Sequence, residues 1–228
     1  MDENGAVQRK DISVLAKTDY VIGRDGNFGP EAVAHLYILE NDLHTKPFAL
    51  AHNVYVKDRS LVSQSMSELA DEMIDKSRSN DCYKLVLTSP YEQKHVHHAC
   101  RAMKSNDRAV FHEQGILFRL AFDGAPEHGS LPPGTKFFIE DDGKEVARAR
   151  LYFLGSPDKP FGFMEDVFVD EAYRSKGYGK KVLAALIDEA KQNTGELIAT
   201  SRHGRDMVHG LYRRLGFQDY GLEFRIDF

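Results

Sequence analysis

The feature that most restricts how this chain can fold is an internal repeat. Residues 33–58, VAHLYILENDLHTKPFALAHNVYVKD, lie without a gap over residues 146–171, VARARLYFLGSPDKPFGFMEDVFVDE. The two share Val-Ala at the start, Lys-Pro-Phe in the middle and Val-aromatic-Val near the end. Ahead of this pair, DYVIGRDG (19–26) matches KFFIEDDG (136–143); behind it, CYKLVLTS (82–89) matches TGELIATS (194–201). A further match sets Phe111-His112-Glu113-Gln114-Gly115-Ile116 against Leu211-Tyr212-Arg213-Arg214-Leu215-Gly216-Phe217 with one residue missing. These matches, all in one order, predict two homologous halves, 12–122 and 134–228, joined by a Gly/Pro-rich linker at 123–133. The 228 residues, which alone allow one domain or two small ones, are thereby divided.

Within each half the pattern repeats as well. Alternating runs predict strands over 20–23, 33–39 and 49–57, and again over 136–140, 146–154 and 162–170. A helix follows each third strand: Leu183, Leu186, Ile187 and Ala190 share one face, and Leu69, Met73 and Ile74 do so in the first half. Asn193-Thr194-Gly195 reads as a glycine C-cap. Another strand, a shorter helix and a terminal hairpin complete the order βββαβαβ. That order predicts an α/β fold, or an α+β layered one, in which helices pack on a mixed sheet.

Composition excludes several classes. A 42% hydrophobic share with 29% charge is that of a globular chain rather than a disordered or fibrous one. The longest apolar runs, such as 182–187, fall far short of the ~20 residues that span a bilayer. The start, MDENGAVQRKD, does not read as a secretory signal. Two cysteines, Cys82 and Cys100, are too few for a disulfide framework, so a reducing, cytoplasmic setting is expected. The net charge of −5 gives no global attraction to nucleic acid. His95, His97 and His98 lie close in sequence, but His97 and His98 fall on different sides of a helix and no carboxylate is spaced to complete a site, so no metal is expected.

The densest chemistry lies in 163–181. A strand passes through Arg174-Ser175-Lys176-Gly177-Tyr178-Gly179 directly into an amphipathic helix. This order points free backbone N–H groups, at the positive end of a helix dipole, toward one spot. Two glycines remove the Cβ atoms that would hold a diphosphate away. Arg174, Lys176, Lys180 and Lys181 add positive charge. The three-glycine dinucleotide fingerprint and the Gly-Lys-Ser/Thr P-loop are both missing. On glycine spacing alone the loop reads equally as a tight turn with a solvated basic rim.

Taken together, the strand 164–169, the Arg-x-x-Gly-x-Gly loop and the later Leu211-Tyr212-Arg213-Arg214-Leu215-Gly216-Phe217 resemble the successive motifs of the GCN5-related N-acetyltransferases (GNAT). The resemblance covers 136–228 and implies acetyl-coenzyme A as cosubstrate. Its diphosphate would sit on the amides of Arg174, Ser175, Lys176, Gly177, Tyr178, Gly179 and Lys180. Its pantetheine arm would pair like an added strand with Val167, Phe168 and Val169. The N–H near Val167 or Phe168 would polarise the thioester carbonyl. Tyr212 would protonate the departing thiolate, its ordinary pKa of ~10 lying above that of a thiol. Glu165 is the candidate base for the acceptor ammonium, directly or through a water, with Asp166 as the alternative. Read without the resemblance, Tyr212 is a half-buried core tyrosine and Glu165 part of a solvated strand face. The family often has Asn seven residues before the tyrosine; this chain has Arg205, a residue type suited to a phosphate. His203 and His209 read as structural or solvated rather than catalytic.

The first half resembles the same fold without the chemistry. Leu61-Val62-Ser63-Gln64-Ser65-Met66 replaces the glycine loop, His112 replaces the tyrosine and His52 the glutamate. Both halves also lack the opening segment, a strand and two helices, that commonly covers the family's acceptor site. The expected molecule is therefore a tandem GNAT protein. Its degenerate half, 12–122, packs as a built-in pseudo-dimer against a catalytic half, 134–228, and supplies part of the acceptor wall. The expected reaction is direct acetyl transfer to a primary amine of a small molecule by a monomer or homodimer, with neither nucleic acid nor membrane as partner. The alternative is a non-catalytic acyl-coenzyme A-binding regulator or scaffold.

Overall fold

The computed structural model describes residues 5–22, 32–42, 44–57, 62–105, 108–124 and 130–228. The first half runs β1 (Gln8–Ile12), β2 (Val14–Ile22), β3 (Ala32–Leu39), β4 (Phe48–Val56), α1 (Val62–Ser79), β5 (Lys84–Pro90) and α2 (Lys94–Ala102). A two-residue pair, β6 (Lys104–Ser105) and β7 (Arg108–Ala109), leads to β8 (His112–Ala121). The second half runs β9 (Gly134–Asp141), β10 (Lys144–Ser156), β11 (Lys159–Val169), α3 (Tyr178–Asn193), β12 (Glu196–Arg202), α4 (Asp206–Arg214) and β13 (Gln218–Asp227). Each strand triplet thus appears where apolar and polar residues alternate. Leu61 and residues 125–129 of the linker lie outside the described residues.

The chain forms two compact units that cut across the sequence halves: unit 1 comprises 1–13 and 119–199, unit 2 comprises 14–118 and 200–228. In unit 1 the strands run β1-β9-β10-β11-β12, antiparallel except for β11 beside β12. Val182, Leu183, Leu186 and Ala190 of α3 are buried in this unit, as are Phe137, Leu151 and Phe163. In unit 2 the order is β8-β13-β5-β4-β3-β2, with β4 and β5 parallel. Its core gathers Leu36, Ile38, Leu69, Met73 and Leu87 from the first half, and Phe224 from β13.

The repeat is visible in the backbone. Asn53 and Asp166, 113 residues apart, both adopt the left-handed conformation, with φ of 54° and 53°. Each sits where the third strand carries one extra residue against the second, a β-bulge. Each parallel ladder covers three residues, Ala49–Ala51 against Leu85–Leu87 and Gly162–Met164 against Leu197–Ala199.

Four expectations need correction. The gap-free overlay fails in the second strand. Leu39 faces Phe48 across residues 40–47, whereas Leu154 faces Phe161 across 155–160, two residues fewer. The hairpin loop absorbs the difference, so His35, opposite His52, corresponds to Arg150, opposite Glu165. The match that put His112 in the tyrosine's place also fails. The counterpart of α4 is α2, which sets buried Cys100 at the position of Tyr212, while His112 opens β8. There is no terminal hairpin; β13 pairs instead with β5 of the first half. Finally, α3 ends without a left-handed glycine. Thr194 is extended, with φ −146°, and both its N–H and its hydroxyl bond the Ala190 carbonyl.

Candidate active site

In unit 1 the strand β11 leaves its parallel partner early. Its ladder with β12 stops at Met164 opposite Ala199, while Phe168 and Val169 remain paired with Arg148 and Ala147 of β10. No residue of β12 is in register with Val167, Phe168 or Val169, so an extended ligand has an edge to add to there. Val167, Phe168 and Val169 are each part-exposed there. Val54 and Val56, the unit 2 counterparts of Val167 and Val169, are both only 2% exposed, while Tyr55, the counterpart of Phe168, is exposed.

The bulge reaims this edge. Asp166 is left-handed, and its side chain is 1% exposed. Arg148 donates to both of its oxygens, from Nε at 2.8 Å and from the Nη2 group at 3.1 Å. Arg150 approaches to 3.8 Å, and Arg148 also bonds Glu145 at 3.0 Å. These bonds to carboxylates raise the pKa of Arg148 against the opposing effect of burial. Glu165, one residue earlier, is part-exposed.

After β11, Asp170 accepts from the Ala172 N–H at 3.0 Å and caps a single 3-10 turn, Glu171–Tyr173. A hydrogen bond from Lys144 holds the Asp170 carboxyl below its ordinary pKa. The loop then passes through left-handed Ser175 and Gly177 into α3. Gly177 is the N-cap, and no side chain caps the helix. The first-turn amides thus point out of the helix at its positive end without an intramolecular side-chain acceptor. A Cβ on Gly177 would meet nothing within 4 Å, whereas one on Gly179 would lie 3.1 Å from Val169. Lys176 lies over Tyr173 and Lys181 over Tyr178, while Lys181 also bonds the Gly5 carbonyl at 3.0 Å. Arg174 is exposed, 3.6 Å from Glu171.

Residues 106–217 match the acetyltransferase (GNAT) family model. The chain carries a GNAT acetyltransferase domain. The match begins ahead of the linker and takes in β8 as well as the β9-to-α4 series. No curated protein matches the chain. Among solved structures, a putative acetyltransferase from Agrobacterium tumefaciens is 31% identical over 38% of this chain and 63% of its own, with a TM-score of 0.36. The chain thus spans somewhat under two thirds of that protein. A tandem GNAT protein from the clavulanic acid biosynthesis pathway is 12% identical over 95% of this chain and 85% of its own, at TM-score 0.48. A Drosophila protein is 13% identical over 94% and 80%, at 0.49.

Unit 1 brings together Glu165, Asp166, Val167–Val169 and Arg174–Lys180. The other two site candidates belong to unit 2. Arg205 is the exposed N-cap of α4. Tyr212 is 4% exposed, edge-on to Phe118 at 5.3 Å and tilted against Phe217 at 5.4 Å. Nearby His209 bonds the Arg202 carbonyl, as its counterpart His97 bonds that of Ser89. Among the described residues no group of three or more His, Cys, Asp or Glu is placed to hold a metal ion. No described helix is long and apolar enough to cross a membrane.

Sequence reading missed the bulge and its arginines. The available signal was the pair of successive polar residues, Glu165-Asp166, breaking an alternating strand and echoed by His52-Asn53. It also missed a repeat between HEQGILFRLA of β8 and QDYGLEFRID of β13. A Cβ on Gly115 or Gly221 would strike the Ser201 or Ser89 backbone, respectively.

Proposed function

We propose that the protein is an acetyl-coenzyme A-dependent N-acetyltransferase that passes the acetyl group directly to a primary amine of a small molecule. The observation that carries this reading is the meeting, in one unit, of a bulged strand edge that its parallel ladder leaves after Met164 with a helix start whose N-cap is left-handed Gly177 and which no side chain caps. These residues fit the cosubstrate: Arg174–Lys180 hold the diphosphate, and Val167–Val169 take the pantetheine arm as an added strand. Acetyl-coenzyme A supplies the activated acyl group. The backbone N–H of Val167 or Phe168 donates to the thioester oxygen as negative charge grows there. Glu165 takes the proton from the acceptor ammonium. It is preferred over Asp166, whose carboxylate is buried and held by Arg148. Tyr212 returns a proton to the leaving thiolate, and Arg205 is the candidate phosphate contact in place of the family's Asn. A reducing, cytoplasmic setting and a monomer or homodimer belong to the same proposal. Burial holds both cysteines as thiols, raising Cys82 to about 11 and Cys100 to about 12.

The burial of Tyr212 favours the second reading, a non-catalytic acyl-coenzyme A binder. An amine panel followed by free-thiol release separates the two. Under the first, at least one amine releases thiol. Tyr212→Phe then lowers turnover by roughly 100-fold while coenzyme A affinity, measured calorimetrically, stays unchanged. Binding with no thiol release from any amine supports the second.

A further inference from the structure

Both units carry the bulge, but the side chains around it differ. In unit 2 Asn53 is exposed, and the position corresponding to Arg148 is apolar Val33. The bulge therefore forms there without a buried charge on the bulged residue. In unit 1 the same turn buries Asp166 between two arginines of β10, taking three charges out of water. Such burial is a poor source of stability, since desolvation offsets most of the attraction. What it does supply is fixed geometry: a bidentate fork holds a carboxylate in both distance and plane. The Arg148 guanidinium also lies over the ring of Phe168, 4.6 Å from its centroid. One side chain thereby grips the residues on both sides of Val167. Arg148 is itself tied through Glu145 to Lys136 of β9, and Arg150 bonds the Tyr152 hydroxyl, so the fork is anchored across neighbouring strands.

Resting on the transferase reading, we propose that Asp166, Arg148 and Arg150 are the positioning residues of the reaction, an ionic clamp that fixes where the Val167 and Phe168 amides point. Asp166 touches no substrate. Its charge holds the bulge still, so that the amide donor is already aimed when the thioester arrives. Preorganisation of this kind is what gives an oxyanion donor its effect.

Asp166→Asn tests this cleanly, because asparagine already occupies the left-handed position in unit 2. The variant keeps the backbone conformation and removes only the charge. Two readouts apply to the full-length protein. The first is hydrogen exchange of the amides at 165–169, expected to quicken at least about tenfold with the rest of unit 1 unchanged. The second is the carbon-13 shift of carbonyl-labelled acetyl-coenzyme A. It is expected to move on binding to the native protein and to lose most of that movement in the variant, while coenzyme A affinity stays within about threefold. Arg148→Gln should reproduce both effects, and Arg148→Lys, which keeps charge without the fork, should restore them in part. If the native protein binds no coenzyme A, the transferase reading falls, and the exchange experiment still decides the clamp. Unchanged exchange at 165–169 in both Asp166→Asn and Arg148→Gln would overturn it, as would an affinity loss equal to the loss of carbonyl shift.

Discussion

Gly177 and Gly179 are two residues apart and answer to different constraints. Gly177 is left-handed with open space where a Cβ would go, so backbone conformation requires it, at about 1–2 kcal/mol for most replacements. Gly179 is held by the proximity of Val169. Gly177→Ala should therefore lose about 1 kcal/mol of unfolding free energy and weaken coenzyme A binding. Gly177→Asn, which tolerates the left-handed region, should recover the stability but not the affinity, because its side chain occupies the space left for phosphate. Recovery of both, by denaturation and calorimetry, would show that no ligand reaches this cradle. His52 poses a residue-scale question in unit 2. It is buried, bonds Thr88 at 2.7 Å and faces His35, which itself bonds Asp19. Burial, helped by the charge of His35, pushes its pKa down from 6.5 to about 3. The folded state thus resists a proton that the unfolded chain accepts below about pH 6.5. Its share of stability is complete above that pH and is lost as pH falls toward 3, at about 1.4 kcal/mol per pH unit in mid-range. Urea unfolding at pH 7.5 and 4.5 should show a smaller loss for His52→Gln than for the native chain. Equal losses would clear His52 of the effect.

At the scale of elements, alternation and helical spacing made β9, β10, β11 and α3 legible, and the glycine loop announced the start of α3. Partners were not legible. Alternation fixes which face a strand buries but not which strand it meets. Nothing in GLEFR of β13 names β5, nor does QRKDI of β1 name β9, and these pairings redrew the units. The bulge escaped for a related reason, since an inserted residue is defined by the strand opposite. Only the recurrence of two polar residues at 52–53 and 165–166 betrays it. The equivalence of α2 and α4 is hidden in sequence because Tyr212 has Cys100, not an aromatic residue, at the matching position of α2. The shared histidine and arginine are the better guide: His97 and His209 both bond a strand-end carbonyl, while Arg101 and Arg213 each fork onto an acid of the following strand, Glu113 or Asp219.

For the whole molecule these pairings make the halves interdependent. A fragment of 134–228 would keep the glycine loop, the bulge and Tyr212, yet it loses β1, whose five residues pair with β9, and β5, which pairs with β13 over seven. It also loses the Arg9–Glu189 ion pair on α3 and the Gly5 carbonyl that accepts from Lys181. It loses β8 as well, the neighbour of β13 on the side away from β5, so β9 and both sides of β13 would then be bare, a template for aggregation. The fragment should therefore be insoluble or fail to bind coenzyme A when expressed alone. Co-expression of 1–122 with 134–228 as separate chains should instead yield a soluble complex that binds coenzyme A, because each piece carries a strand whose hydrogen-bonding partner lies in the other. A 134–228 fragment that is soluble, folded by circular dichroism and binds coenzyme A with the affinity of the full chain would show that these crossed pairings are dispensable.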